Sequence, residues 1–277
     1  MSWNRPQNLI QAAEAIRAAD SVLLVCHVRP DGDALGSLLG LTLGLECLGK
    51  RVTPVSPDGV PELYRFLPGW ERVVTTAGGE WDLAVGLDAD GSDRLGAAEE
   101  LVLRQSVVLD LDHHSGAERY GTIQLVDPTA AATAELVYLL LTELGVELDP
   151  RTAECLMAGL LTDTGSFRFS NTSERAFAVA ARLRAAGATP GRTYEAVYGR
   201  RSFGATRLLG RLLDRAGQCQ NGRIVHSWLS AADFQECGAV GADTEGFVDQ
   251  LRMVAGAQVV LFFREETPGE VRVSLRS

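Results

Sequence analysis

The chain reads as an α/β protein, a parallel sheet with helices on both faces, extended by a smaller α+β C-terminal module. Three observations carry this reading. Up to residue 188, short apolar runs of strand length alternate with stretches whose apolar residues recur at helical spacing, the pattern of a parallel sheet covered on both faces. Around Ala188 to Ser202 the pattern loosens at Pro190, Gly191 and Gly199, residues that interrupt regular structure. After it, one helical stretch is followed by strands without further alternation. The domains are therefore expected over 1–188 and 203–277, joined by a linker at 189–202.

Taken in order, Asn8 to Ala19 has helical spacing, and Ser21 to Cys26 is a buried strand ending at His27. Pro30, Gly32, Asp31 and Asp33 make Val28 to Asp33 a turn. Ala34 to Leu48 is a helix closed by Gly49; Arg51 to Val55 is a short strand, and Pro54, Pro57 and Pro61 keep regular structure from continuing beyond it. Leu83 to Leu87 is a buried strand that delivers Asp88. Ser106 to Leu111 is the next, and its tip turns polar as Asp110-Leu111-Asp112-His113-His114. Ile123 to Val126 precedes helical stretches at Ala130 to Leu144 and Thr152 to Leu161, the second running into Thr162-Asp163-Thr164-Gly165. Asn171 to Glu174 caps a helix over Arg175 to Ala186, closed by Gly187. In the second module a helix over Phe203 to Arg215 precedes strands at Arg223 to Leu229, Gln258 to Arg264 and Val271 to Leu275.

The totals narrow the function. A net charge of −10 argues against a broad nucleic-acid surface or a long duplex partner, because phosphate backbones are held mainly by Lys and Arg. A small phosphorylated substrate in a local cationic or metal-lined pocket stays open. Five cysteines, Cys26, Cys47, Cys155, Cys219 and Cys237, are scattered without CxxC pairing and read as reduced thiols of a cytoplasmic protein. No membrane span is expected: the longest apolar stretch, Ala34 to Leu48, is too short and contains Glu46. The N-terminus shows no signal-peptide pattern.

Strand ends carry the chemistry. His27 with Asp31 and Asp33, then Asp88, then Asp112-His113-His114 all come after predicted strands, and Asp163 ends a helix. In a parallel sheet the carboxyl ends of the strands lie on one side, so these groups can meet. Gathering Asp31, Asp33, Asp88 and Asp163 would force several to protonate unless cations compensate. Two divalent ions would balance the set, and mixed imidazole and carboxylate ligands suit Mn²⁺ better than Mg²⁺ or Ca²⁺. Such a pair, roughly 3.5–4 Å apart, serves phosphoester hydrolysis by activating water and clamping phosphoryl oxygens.

In order and spacing, His27-x-x-x-Asp31-x-Asp33, Asp88, Asp112-His113-His114 and Asp163-Thr164-Gly165 resemble the motifs of the DHH phosphoesterases. The tail, Glu245-Gly246-Phe247 through Ser274-Leu275-Arg276-Ser277, resembles the start of their DHH-associated C-terminal domain. The resemblance is to the nanoRNase/pAp-phosphatase (oligoribonuclease A) branch, over nearly the whole chain. It implies one metal held by His27, Asp31 and Asp88, and a second held by Asp33, Asp88, His113 and Asp163. It further implies His114 facing the scissile phosphate, Asp112 orienting ligands, and a Mn²⁺-dependent hydrolase (Mg²⁺ as the substitute) acting on short RNA oligonucleotides and on mononucleotide bisphosphates such as 3′-phosphoadenosine 5′-phosphate. Two departures stand out. The branch's Gly-rich GGGH segment does not occur in this sequence, so an incomplete second domain is expected; and Ser115-Gly116-Ala117 lacks the Asn that many relatives place after the second His.

Other residues have plainer readings. Asp90 and Asp93 read as solvated turn acids, Asp110 stays unassigned, His226 reads as a half-buried strand residue, and Cys26 as core packing opposite His27. Arg168, within Phe167-Arg168-Phe169, and Arg276 are candidate substrate contacts. Cyclic-dinucleotide or pApA phosphodiesterase, RecJ-like single-strand exonuclease and a non-enzymatic nucleotide-binding module remain alternatives, since the same metal centre serves all the enzymes. A homodimer is compatible with the sequence.

Overall fold

The computed structural model describes residues 6–116, 119–244 and 246–277. Ala117 and Glu245, each part of a motif named for the sequence, lie outside them. The chain divides into two compact units, Met1–Val197 and Tyr198–Ser277.

The first unit is built on five strands, β1 (Ser21–Cys26), β2 (Arg51–Val55), β3 (Leu83–Leu87), β4 (Val108–Asp112) and β5 (Ile123–Val126). They run in the order β2-β1-β3-β4-β5 with every pairing parallel. β1, β3 and β4 are buried throughout, as their near-continuous apolar composition requires. Pro54 is tolerated because β2 is an edge strand. One face carries α1 (Leu9–Ala18), α2 (Gly32–Cys47), α4 (Thr133–Glu143) and α5 (Pro150–Asp163), packed on Val22, Leu24, Val85, Leu109 and Leu125. The other is covered more thinly, by a 3-10 segment at Ser92–Ala98 and α3 (Glu99–Leu103) over Leu23, Val25, Ala84 and Val108. Strand order reverses between β1 and β3, the crevice at which open sheets bind ligands.

Two departures from the sequence reading bear on the site. The turn at 28–33 is shorter than expected: α2 already begins at Gly32, because Asp31 accepts from the amides of Asp33 and Ala34 and caps it. Secondly, Pro190–Val197 is a helix, α7, packed on α5 and belonging to the first unit. Proline at its first position is favourable there rather than disruptive, so the expected linker at 189–202 is largely ordered. α6 (Glu174–Ala185) packs on α5.

Glycines at 32, 36, 40 and 44 recur every fourth residue of α2. They let it lie tight against its neighbours: a Cβ on Gly36 would fall 2.5 Å from the Cys155 carbonyl oxygen of α5. A Cβ on Gly159 would fall 2.6 Å from Asp33 Oδ1. This close approach brings the start of α2 beside the end of α5, and so Asp33 towards Asp163.

The second unit has a four-stranded sheet in the order β6-β7-β8-β9, formed by β6 (Gly217–Cys219), β7 (Ile224–Leu229), β8 (Val259–Thr267) and β9 (Glu270–Arg276). β7 and β8 are parallel and the outer pairs antiparallel. Helices α8 (Phe203–Asp214), α9 (Ala231–Cys237) and α10 (Phe247–Arg252) enclose a core of Leu208, Leu212, Val225, Phe234, Phe247 and Phe262. Neither α9 nor α10 is evident from periodicity, being only two turns or fewer. Among the described residues, no helix is long and apolar enough to cross a membrane.

Candidate metal centre

His27 comes directly after β1, Asp88 after β3, and His113 and His114 after β4, so three adjacent strands deliver their polar ends to one edge. Asp31 and Asp33 reach the same edge from the start of α2, and Asp163 from the last residue of α5. All six residues expected to hold metal are brought together, with His114 beside them. His27 Nε2 lies 3.8 Å from Asp31 Oδ1 and 3.6 Å from Asp88 Oδ2. His113 Nε2 lies 3.2 Å from Asp163 Oδ2, 3.6 Å from Asp88 Oδ1 and 3.9 Å from Asp33 Oδ2. Among the described residues, three groups have ligand atoms within 4.8 Å of one another: His27-Asp31-Asp88, Asp33-His113-Asp163 and Asp88-His113-His114. Asp88 is common to the first and third.

The tautomers point the same way. His27 Nδ1 lies 2.8 Å from the Val28 carbonyl and His113 Nδ1 3.3 Å from the Ala130 carbonyl. A carbonyl only accepts, so Nδ1–H is the assignment that suits both contacts, with Arg94 Nη2 also 3.2 Å from His27 Nδ1. Each Nε2 then faces carboxylates, an arrangement that needs a proton or a metal ion in between.

Electrostatics describe a centre short of positive charge. Burial, then the charges of Asp88 and Asp163, holds the Asp33 carboxyl well above the ordinary carboxylate range. Burial and Asp88 likewise raise Asp163, against the pull of His113. Burial alone would lower His27, yet Asp31 and Asp88 outweigh it and bring the imidazole to about 10. His113 is also held at about 10, where burial is outweighed by Asp163, Asp33 and Asp88. Asp31 is lowered despite burial, by His27 and the α2 amides. The cluster thus recruits protons to offset its own carboxylates, and divalent ions among the same donors would offset them instead. Mixed imidazole and carboxylate ligands fit such ions.

Beside this cluster, Asp112 Oδ1 sits 2.7 Å from His114 Nδ1, while its Oδ2 accepts from Arg119 at 2.7 Å. Burial opposes ionisation of Asp112, but these two bonds bring its carboxyl down to about 2. The Asp112 bond raises His114 in turn. A cavity of about 300 Å³ is lined by His27, Asp31, Asp88, Asp90, Arg94, His114 and Asp163. Arg94 and Arg119 escape sequence reasoning because neither lies in a motif. Asp90, read as a turn acid, also lines the cavity. Asp110 is fully buried on β4, 3.6 Å from Arg119, with burial lifting its carboxyl to about 7.

Of the two candidate substrate arginines, Arg168 donates from Nε to the Gly165 carbonyl at 2.7 Å and is not among the residues lining the cavity. Arg276 lies in the second unit, where it lines a separate pocket of about 430 Å³ with Arg264, Arg272 and Ser274. His226 is half-buried in β7, and Cys26 is buried in the core with its thiol pushed up to about 12 by burial.

Comparison with known proteins identifies the family and the fold. Residues 21–160 match the model of the DHH family, N-terminal domain. The chain is 35% identical to the bifunctional oligoribonuclease and PAP phosphatase NrnA of Thermus thermophilus, an alignment covering 96% of this chain and 79% of that protein. It is 27% identical to the NrnA of Bacillus subtilis, covering 93% of this chain and 82% of that one. The crystal structure of an exopolyphosphatase-related protein from Bacteroides fragilis superposes with a TM-score of 0.90 at 26% identity, covering 98% of this chain and 83% of that chain.

Proposed function

Since the chain belongs to the DHH family, we propose that it is a metal-dependent phosphoesterase that hydrolyses short oligoribonucleotides and 3′-phosphoadenosine 5′-phosphate. The observation that carries this is the convergence of two imidazoles and four carboxylates from separate elements on the β1–β3 crevice, with too little positive charge of their own. The relatives supply the substrate class: both NrnA proteins are named bifunctional oligoribonuclease and PAP phosphatase.

His27, Asp31 and Asp88 would hold one ion, and Asp33, Asp88, His113 and Asp163 the other, with Mn²⁺ preferred over Mg²⁺ by the imidazole content. When bound, such ions polarise the phosphoryl oxygens and lower the pKa of water. The protein's own residues complete the chemistry. Asp112, its carboxyl brought down to about 2, lies 2.7 Å from His114 Nδ1 and raises that imidazole, so His114 can hold a proton against the scissile phosphate or give it to the leaving oxygen. Arg94, at the cavity wall, adds positive charge for a phosphate. The modest cavity and net charge of −10 disfavour long single strands, which need an extended basic groove.

The test compares product formation by metal-stripped and Mn²⁺-reloaded protein on 3′-phosphoadenosine 5′-phosphate, pApA, a five-nucleotide RNA and long single-stranded DNA. Turnover of the short RNA and the bisphosphate only after reloading is the expected result. No product from either, or equal rates on long DNA, would overturn the reading.

A further inference from the structure

The residues of the candidate metal centre come from four separate parts of the first unit, and one short segment bonds to three of them directly and to a fourth through Asn171. Residues 130–134 read Ala-Ala-Ala-Thr-Ala and carry no recognisable motif. The Ala130 carbonyl faces His113 Nδ1 at 3.3 Å. The Ala131 carbonyl accepts from Asn171 Nδ2 at 3.1 Å, and the same amide group donates to the Asp163 carbonyl at 3.0 Å. The backbone amides of Thr133 and Ala134, at the start of α4, donate to the two oxygens of Asp33 at 2.6 and 2.9 Å. Finally, Thr133 Oγ1 donates to Asp88 Oδ1 at 2.8 Å.

That last bond differs from the others. It is the one made by a side chain of the segment, the other four residues being alanine. A threonine in the first turn of a helix ordinarily serves its own backbone. Here the backbone amides of α4 are instead satisfied by Asp33 of α2, and the Ala132 N-cap makes no side-chain bond. The fully buried Thr133 hydroxyl is thereby free to reach Asp88. Asp88 is also constrained from behind: its backbone has φ 58°, in the left-handed region costly for a side-chain-bearing residue, and its amide donates to the Leu111 carbonyl at 3.0 Å. Main chain and side chain of this residue are therefore both clamped. Oδ2 is left towards His27 and Oδ1 towards His113, each at 3.6 Å.

We propose that Thr133 is a positioning residue of the metal centre, its hydroxyl fixing the carboxylate of Asp88 so that one oxygen serves each of the two metal-holding groups that share it. The inference rests on the reading of the cluster as a two-metal centre. Outer partners of this kind are worth about 10–100-fold in metal affinity. Thr133→Val is nearly isosteric, removes only the hydroxyl, and keeps the backbone amide that Asp33 needs.

The experiment is calorimetric titration of Mn²⁺ into the metal-stripped full chain, as wild type, Thr133→Val and Thr133→Ser. Wild type is expected to take two equivalents. Thr133→Val should bind at least one of them about 10–100-fold more weakly, and Thr133→Ser, which keeps the donor, should bind as wild type does. Equal affinities in wild type and Thr133→Val would overturn the positioning role while leaving the two-metal reading intact. Failure of the wild type itself to bind Mn²⁺ would overturn both. Should Thr133→Val not fold, Thr133→Ala removes the same hydroxyl without added bulk and is scored identically.

Discussion

Asp33 in the first unit and Asp233 in the second make an instructive pair. Both are buried, and both accept backbone amides at the start of a helix: Asp33 those of α4, Asp233 that of Ser230 in the capping box of α9. Their ionisation differs in sign. Asp33 is pushed well above the ordinary range by burial and by Asp88 and Asp163. Asp233 is held well below it by Arg215, against some desolvation, with Ser230 and Arg211 assisting. The helix end is common to both, so the depth of burial and the neighbouring charges decide. At Asp233 the chain supplies arginines; at the strand ends of the first unit it assembles carboxylates and imidazoles, a set whose charge the proposed cations would balance.

The sharpest way to break that contrast is to remove a shared carboxylate. Asp88→Ala is expected to lower turnover of a dinucleotide by more than about 10³-fold, above the cost of losing a single hydrogen-bond donor, with the far-UV circular dichroism of wild type retained. His113→Ala should behave alike. Turnover at the wild-type rate in either variant would contradict the assignment of these residues to the metal centre.

A second measurement asks whether cations stabilise the first unit as arginines stabilise Asp233. Mn²⁺ at a hundred times its dissociation constant should stabilise the fold by about 2.7 kcal/mol, read as a rise in melting temperature that a chelator reverses. His113→Ala should remove most of the rise. An equal rise in the variant would place the binding elsewhere.

The same contrast sets how much is legible in the chain before it folds. β1 and β3 end where their apolar runs end and β4 runs on only to Asp112, so His27, Asp88 and His113 can be placed on one sheet edge from spacing alone. Asp31 and Asp33 are recognisable as site residues, yet spacing assigns them to a turn, because Asp and Gly serve turns and helix caps equally. Thr133, Arg94 and Arg119 leave no trace and Asn171 only that of a helix cap, since each acts on the site through a hydrogen bond or a cavity wall that exists only after distant elements pack. The α7 helix is hidden by its own Pro190 and Gly191, which suggest a break although proline is favourable at a helix start. In the second unit, the Ser230-x-x-Asp233 signal for α9 is present but too short a pattern to stand out.

The smallest expected effect belongs to Asp233 itself. Arg211 and Arg215 both reach its carboxylate, and Ser230 donates to it from backbone and hydroxyl at 2.8 Å. Asp233→Asn keeps the shape and removes the charge, and should cost about 1.5 kcal/mol at neutral pH, the lower end of the range for hydrogen bonds to a charged group, measured by urea unfolding of the full chain. The pH dependence fixes the cause. Because the folded-state pKa lies below that of the unfolded chain, the carboxylate contributes its full stabilisation above the unfolded value of about 3.9. That contribution is lost as pH falls through the folded value. The gap between wild type and variant should therefore be constant from neutral pH down to about 5 and narrow below about 4. A gap that is unchanged at pH 3, or that widens there, would mean the arginines contribute by packing rather than charge, and the contrast with Asp33 would lose its electrostatic basis.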